Sequence, residues 1–216
     1  MRKIIVRGLL NLNKIRKSRL GKLLVAGLFL TLIIIYFPIN RFVSHGVSLK
    51  TFLDKSIPLI PVFVIPYLIG ATLILFMPLF FIYKLSEEDF KKYVLVFLSS
   101  TILSYLIYLI FPTYVDRPLI QSQNDIFSKL LTLLYSVDKS YNAAPSGHTF
   151  YSIINGVFLL NLSDNNIFKF FVVAGFFIII LSTLFTKQHY LLDVISGILF
   201  AYLFLLIGNT FIKIAS

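Results

Sequence analysis

Long apolar stretches recur along this chain of 216 residues and constrain its fold more than any other feature. A helix that crosses the hydrocarbon core of a bilayer needs about 20 predominantly apolar residues. The stretches that approach this length predict an all-α, polytopic membrane protein with six transmembrane helices in one bundle. They cover residues 21–39, 57–83, 93–112, 149–162, 168–186 and 190–212.

The composition excludes an ordinary soluble domain. Hydrophobic residues make up 58% of the chain and charged residues 13%, whereas soluble domains average about 45–50% and 25%. A single domain of this length cannot bury so much apolar surface. The net charge of +11 in such a chain favours anionic lipid or an anionic substrate over nucleic acid as the partner. The absence of cysteine excludes disulfides and thiolate metal sites.

Two of the six stretches are irregular. The second contains Pro58, Pro61, Pro66 and Pro78, which predict a kinked helix or one that starts late because proline removes a backbone donor. The fourth, residues 149–162, is short and is assigned as a span partly because its neighbours require one.

The distribution of basic residues predicts the orientation. Residues 1–22 form a basic segment that we expect to be cytoplasmic or to lie at the membrane interface. The membrane domain then covers residues 23–216, with both termini cytoplasmic. Loops 113–148 and 186–190 fall on the periplasmic or extracellular face of the cell (inner) membrane. The oligomeric state is left open.

Candidate chemical residues gather at that outer face. His189 and Asp193 are four residues apart, so on a helix they would share one face. A carboxylate there fixes the imidazole tautomer and leaves the other nitrogen free as a base or nucleophile. The alternative is an interfacial histidine beside an aspartate that only favours a helix start. His45, the third histidine, has no evident partner and is interpreted as an exposed loop residue.

A second group surrounds the start of the fourth stretch. Ser146 is a good helix N-cap, Gly147 admits close approach of a ligand, and His148 is placed to donate a proton. Arg117 and Lys187 offer cations for phosphate oxygens. The alternatives are a plain helix cap with a surface histidine, and basic anchors at lipid headgroups. Two histidines and an aspartate are possible metal ligands, but the neighbouring cations favour an anion, and we expect no metal.

The order of these motifs resembles the type 2 phosphatidic acid phosphatase (PAP2) superfamily, which carries K-x6-R-P, P-S-G-H and S-R-x5-H-x3-D. The family's lysine position holds Ile110, and the arginine of its third motif is replaced by Thr183. Other features resemble the inositol-phosphorylceramide-synthase-like branch, namely Asp138, Asn142 and residues 186–190. The matching strings are Arg117-Pro118, Pro145-Ser146-Gly147-His148, and Ser182 with His189 and Asp193.

The resemblance implies a six-helix fold and a reaction. His189 would be the nucleophile that forms a phosphohistidine, Asp193 would orient it, and His148 would protonate the leaving group. The phosphate-binding residues would be Arg117, Ser146, Gly147 and Lys187, with no metal or other cofactor.

The expected activity is that of an integral membrane phosphatase acting on a lipid phosphate or diphosphate. One alternative is a phosphotransferase that passes the phosphoryl group or headgroup to a lipid or sugar hydroxyl. Another is a non-enzymatic transporter or lipid-binding protein. Transporters tend to show internal repeats and ionisable residues at mid-membrane depth. This chain shows no internal repeat, and its ionisable residues gather at one face.

Overall fold

The computed structural model describes residues 15–120 and 125–215. Two short strands, β1 (Val47–Ser48) and β2 (Thr113–Tyr114), pair in parallel, and two single 3-10 turns cover Leu53–Lys55 and Pro61–Phe63. The predicted basic segment 1–22 lies mostly outside the described residues. The α-helices are α1 (Arg19–Phe42), α2 (Val64–Lys84), α3 (Glu87–Ile110), α4 (Ile126–Val137), α5 (Gly147–Leu160), α6 (Asn166–Phe185) and α7 (Leu191–Ala215).

Within the described ranges, five helices are long and apolar enough to cross a membrane. They are α1, α2 with the 3-10 turn that precedes it, α3, α6 and α7. Each corresponds to one predicted stretch, and their outward-facing surfaces are rich in exposed leucine, isoleucine and phenylalanine. The chain is therefore a helical membrane protein.

The fourth predicted stretch forms a shorter helix than the others. Helix α5 has 14 residues and is about 21 Å long at 1.5 Å per residue, so its length does not establish a sixth span. Helix α5 is short because of the segment that precedes it. The segment Asn142–Ser146 is buried, so the chain enters the protein as non-helical backbone before α5 begins.

Helix α2 begins late, and this confirms one of the two expectations for the proline-rich stretch. Pro58 and Pro61 precede the helix, which starts at Val64. Pro66 lies in the first turn, where a missing backbone donor is tolerated. Pro78 lies inside the helix.

The described part of the loop 113–148 contains regular secondary structure. It contains β2 and α4, neither of which was predicted from the sequence. Asp125 caps α4 by accepting hydrogen bonds from the backbone nitrogens of Phe127 and Ser128 at 2.9 and 3.0 Å. Apolar residues at helical spacing within 126–137 give α4 one face for packing against the bundle.

Helix α5 lies at the centre of the bundle, where it packs against α2, α3, α6 and α7. An aromatic core including Phe81, Tyr93 and Phe158 joins it to α2 and α3. At Gly197 of α7, a Cβ would lie only 2.9 Å from the Ser146 carbonyl oxygen. This close approach fixes the start of α5 against the start of α7.

Candidate active site

A cavity of about 280 Å³ opens between the ends of the helices and extends among α1, α2 and α3. Its polar end brings together residues that are far apart in the sequence. The remaining walls are mostly apolar and aromatic, with Ile33, Leu68 and Ile74 among them. The polar end includes Arg117, Asp138, Asn142, His148, Gln188 and His189.

His189 lies in the tight turn that joins α6 to α7. Its backbone nitrogen donates to the Thr183 carbonyl at 3.1 Å, and its side chain lines the cavity while remaining 9% exposed. The helix begins only at Leu191, so the turn, and not a helical face, brings His189 close to Asp193. The distance from His189 Nδ1 to Asp193 Oδ2 is 3.8 Å, longer than a hydrogen bond.

The carboxylate of Asp193 is buried and holds the turn in place. Its Oδ2 accepts a hydrogen bond from the backbone nitrogen of Tyr190 at 2.7 Å. Its backbone oxygen accepts from the backbone nitrogen of Ser146 at 3.0 Å. Asp193 therefore links the turn that carries His189 to the start of α5, which carries His148.

His148 occupies the first turn of α5 and faces the same cavity. Its ring stacks on Tyr67 with 4.0 Å between ring centroids, and its Nε2 has no protein partner. Gly70 allows this packing, because a Cβ there would lie 2.5 Å from Ile179 Cγ2 and 3.2 Å from His148 Cδ2.

Ser146 is the N-cap of α5, as the sequence predicted. Its hydroxyl oxygen accepts from the Thr149 backbone nitrogen at 3.4 Å and from the Thr149 hydroxyl at 3.0 Å. Ser146 is fully buried and lies behind the cavity, whereas Gly147 lines it. Of the two residues, only Gly147 is positioned to contact a ligand directly.

Arg117 lines the cavity and is held by several groups. Its guanidinium donates to the backbone carbonyls of Asp138 and Lys139 and to the side-chain oxygen of Gln188. It also lies over the Tyr135 ring, 4.7 Å from the centroid. Its Nε is buried and has no protein partner. The guanidinium is thus fixed in the wall of the cavity that His189 also lines, and its Nε is not engaged by the protein.

Lys187 has different partners from those the sequence predicted. Its ammonium donates to the carbonyls of Asp54 and Ile57, and it is not among the residues that line the cavity. Partial burial lowers the pKa of Lys187, and the neighbouring Asp54 opposes that shift. In this arrangement Lys187 fastens the turn to the segment 51–60 and makes no contact in the cavity.

Asp54 strengthens the same attachment and was not identified from the sequence. Its buried carboxylate accepts from the backbone nitrogen of Leu191, at the start of α7, at 2.8 Å. It also accepts from the backbone nitrogen and the hydroxyl of Thr51, each at 2.7 Å. The backbone nitrogen of Ile60 donates to the Phe185 carbonyl at 2.9 Å. The segment 51–60 thus holds both ends of the turn that carries His189.

Asp138 forms a second polar centre in the cavity. Its carboxylate accepts hydrogen bonds from the hydroxyls of Tyr36 and Tyr67 at 2.8 and 3.2 Å. Burial raises the pKa of Asp138, and the nearby Arg117 guanidinium opposes this shift. The sequence indicates Asp138 and Asn142 only through the resemblance. It gave no signal for the tyrosines, which are ordinary residues of apolar helices.

Among the residues that the structure describes, no group of three His, Asp or Glu side chains is arranged to hold a metal ion. The polar end of the cavity instead presents a fixed cation, two imidazoles and several hydrogen-bonding side chains. That donor set suits an anion with several oxygens.

The fold and the site therefore define a helical membrane protein with a paired-histidine, arginine-containing cavity. The family model described as PAP2 superfamily matches residues 32–207. The chain belongs to the PAP2 superfamily. Searches of curated proteins and of solved structures find no match.

Proposed function

We propose that this protein is an integral membrane phosphatase that removes phosphate from a lipid phosphate or diphosphate. The observation that carries the proposal is that His148, His189 and Arg117 line one cavity. These are the residue types that phosphoryl transfer requires, because its barrier falls mainly through positioning and stabilisation of the phosphoryl oxygens. Membership of the PAP2 superfamily supports the same reaction class.

In the first step, a nitrogen of His189 attacks phosphorus and forms a P–N bond while the P–O bond to the lipid breaks. His148 gives its proton to the departing oxygen. In the second step, His148 takes a proton from water, the water oxygen attacks phosphorus, and the P–N bond breaks. Asp193 holds the turn that carries the imidazole through Tyr190, and its carboxylate, 3.8 Å from His189 Nδ1, stabilises the positive charge of the ring. Arg117 and the start of α5 at Gly147 hold the phosphoryl oxygens.

The apolar part of the cavity supports a lipid substrate. Ile74 lies about three turns into α2 from its Val64 end, a depth of about 15 Å. Helix α2 has 21 residues, so the cavity extends along about half of this candidate span. A phosphate bound between the histidines would thus leave its hydrocarbon tail beside Ile33, Leu68 and Ile74.

We also propose that α5 is the sixth crossing and that the site faces outward. Helix α6 has 20 residues and ends at the site, so its start and the preceding turn at 161–165 lie about 30 Å away from it. Helix α5 leads from the site to that turn. Together with the basic residues that precede α1 in the sequence, this arrangement supports a periplasmic or extracellular position for loops 113–148 and 186–190.

A lipid phosphotransferase is the second candidate. Asp138 and Asn142 line the cavity, and both resemble features of the inositol-phosphorylceramide-synthase-like branch. The first step would be unchanged, and an alcohol would replace water in the second. Phosphate release in the absence of an acceptor separates the two candidates.

The test is phosphate release by detergent-purified protein from a panel of lipid phosphates and diphosphates, with and without EDTA. We expect release that is insensitive to EDTA in the wild type and reduced to background in His189→Ala. His45→Ala is the matched control, because His45 lies exposed in a different loop; it should retain wild-type rates. Equal release by wild type and His189→Ala would refute the assignment. Loss of release in EDTA, restored by metal, would refute metal independence.

A further inference from the structure

The proposed chemistry leaves one polar cluster in the cavity unused. It consists of Tyr36, Tyr67, Asp138 and Asn142, and we call it the Asp138 cluster. All four residues line the cavity. The two tyrosine hydroxyls donate to the Asp138 carboxylate at 2.8 and 3.2 Å.

The cluster has hydrogen-bonding capacity that the protein does not satisfy. An ionised carboxylate offers about four acceptor positions, and the tyrosines occupy two of those of Asp138. Asn142 is only 2% exposed, and neither its amide nitrogen nor its amide oxygen has a protein partner. Buried polar groups are normally paired, so this amide is available to a ligand in the cavity.

The chemistry of the cluster does not fit a phosphate. A phosphate offers only acceptors when ionised, and the Asp138 carboxylate would repel it. A hydroxyl group both donates and accepts, so it matches a cavity wall that offers an acceptor in the Asp138 carboxylate and an unpaired donor in the Asn142 amide. A cationic amine is less suitable, because the guanidinium of Arg117 already lies against the Asp138 carbonyl.

The cluster adjoins the residues proposed to act on phosphorus. Tyr67 donates to Asp138 on one side and stacks on His148 on the other, with 4.0 Å between ring centroids. A hydroxyl bound by the cluster would therefore lie near the oxygen that His148 protonates or deprotonates.

We propose that the Asp138 cluster is a subsite that binds a hydroxyl-bearing group next to the transferred phosphate. The inference rests on the proposed function. Two sources share this chemistry: the substrate's own headgroup, or a separate acceptor alcohol that takes the place of water.

The first arm of the test compares two lipid phosphates with identical acyl chains. Phosphatidylglycerophosphate carries a free hydroxyl next to its phosphate ester, and phosphatidic acid carries none. We expect the wild type to favour the hydroxyl-bearing lipid in kcat/KM by about tenfold, as for one charge-assisted hydrogen bond. In Asp138→Asn the ratio should fall toward one. Asn142→Gly, which keeps the positive φ of 61° accessible, should lower the ratio as well.

The second arm adds glycerol or inositol to the phosphatidic acid reaction and measures how the phosphoryl group divides between alcohol and water. If the hydroxyl comes from an acceptor, the ratio of phosphoryl transfer to the alcohol over transfer to water should exceed the molar ratio of alcohol to water about tenfold in the wild type. The ratio of transfer should fall in Asp138→Asn. Asp164→Asn is the control in both arms, because Asp164 is fully exposed in the distant 161–165 turn.

A binding measurement separates this inference from the proposed function. The Tm is measured for His189→Ala and for the double variant His189→Ala with Asp138→Asn. Each protein is measured in the presence of short-chain phosphatidylglycerophosphate or of short-chain phosphatidic acid. The hydroxyl-bearing lipid should raise Tm more, and Asp138→Asn should remove the difference. This result together with no turnover by the wild type would refute only the proposed function. The subsite is refuted if no arm shows a hydroxyl preference, if Asp138→Asn preserves the preference, or if an amine-bearing lipid is preferred.

Discussion

At the scale of single residues, the site depends on side chains whose positions are set by several partners at once. Arg117 is the clearest example. Two backbone carbonyls, the Gln188 side chain and the face of Tyr135 fix its planar guanidinium. A lysine has the same charge but cannot reproduce that set of contacts, because its ammonium is a single point of donation.

We therefore expect Arg117→Lys to lower kcat/KM for a lipid phosphate nearly as much as Arg117→Ala. The loss should be about 10²-fold or more, which is typical for removal of one preorganised donor. Arg41→Lys is the control, since Arg41 is exposed at the end of α1. Recovery of wild-type kcat/KM in Arg117→Lys would show that charge alone is sufficient.

The protonation of Asp138 gives a second prediction at this scale. Burial raises its pKa in the folded state, so folding favours the protonated form. The resulting stabilisation is complete below the unfolded pKa of about 3.9 and is lost as pH rises through the folded pKa. Asp138→Asn removes that dependence.

The difference in Tm, Asp138→Asn minus wild type, should therefore increase as the pH is raised from about 4 to 7. Thermal unfolding in detergent across this range checks the sign. The same series with Asp164→Asn serves as the control, because Asp164 lies exposed in the 161–165 turn and does not line the cavity. A Tm difference independent of pH would contradict the prediction.

At the scale of elements, short segments hold the helices in their functional arrangement. The turn between α6 and α7 is fastened by the segment 51–60, through the Asp54 carboxylate on Leu191 and the Lys187 ammonium on two carbonyls. Gly70 allows α2 to approach α6 and His148. We expect each of these contacts to influence the proposed reaction through the position of an element and not through contact with the phosphate.

Asp54→Ala should release the start of α7 and displace His189. We expect kcat to fall about tenfold or more, with a smaller change in KM, and Tm to decrease because three hydrogen bonds to a charged group are lost. Asp54→Asn keeps one acceptor oxygen and should lie between the wild type and Asp54→Ala. Wild-type kcat in Asp54→Ala would show that the turn holds its shape without this attachment.

Gly70→Ala tests the packing under His148. The added methyl would overlap Ile179 and press on His148, and such overpacking costs about 1–3 kcal/mol. Tm and phosphate release should both decrease. Gly175→Ala is the matched control in α6, because a Cβ there meets no atom within 4 Å. Equal Tm and equal phosphate release in Gly70→Ala and Gly175→Ala would contradict the close contact at Gly70.

At the scale of the whole molecule, the question is which side of the membrane carries the site. The chain contains no cysteine, so single-cysteine variants can be labelled without background. Ser136 in α4 and Asp164 in the 161–165 turn are both exposed. On intact cells, Ser136→Cys should react with a membrane-impermeant maleimide, and Asp164→Cys should react only after permeabilisation.

Labelling of both positions from outside would show that α5 does not complete a crossing. Labelling of Asp164→Cys alone on intact cells would show that the orientation is the reverse of the predicted one. The cytoplasmic assignment of the basic end is decided by the same experiment, because α1, α2 and α3 connect it to the loop that contains Ser136.

The sequence alone determined the features that depend on local composition. Apolar length specified the five long helices, because the bilayer requires about 20 apolar residues per span. Prolines specified the late start of α2, and Ser146 specified the cap of α5. The motif strings specified the superfamily, because Arg117-Pro118, the Pro-Ser-Gly-His string and His189 with Asp193 keep the family's order even though Ile110 and Thr183 replace two of its residues.

Only the tertiary structure decided which side chains share the cavity. The Asp138 cluster joins residues from α1, α2 and the loop before α5, and sequence spacing carries no signal for contacts between such distant segments. Lys187 donates to two carbonyls of the segment 51–60 and does not line the cavity, and this contact also joins segments that lie far apart in the sequence. Helix α5 could be short because the buried segment before it enters the protein, where side chains and backbone, rather than lipid, surround the chain.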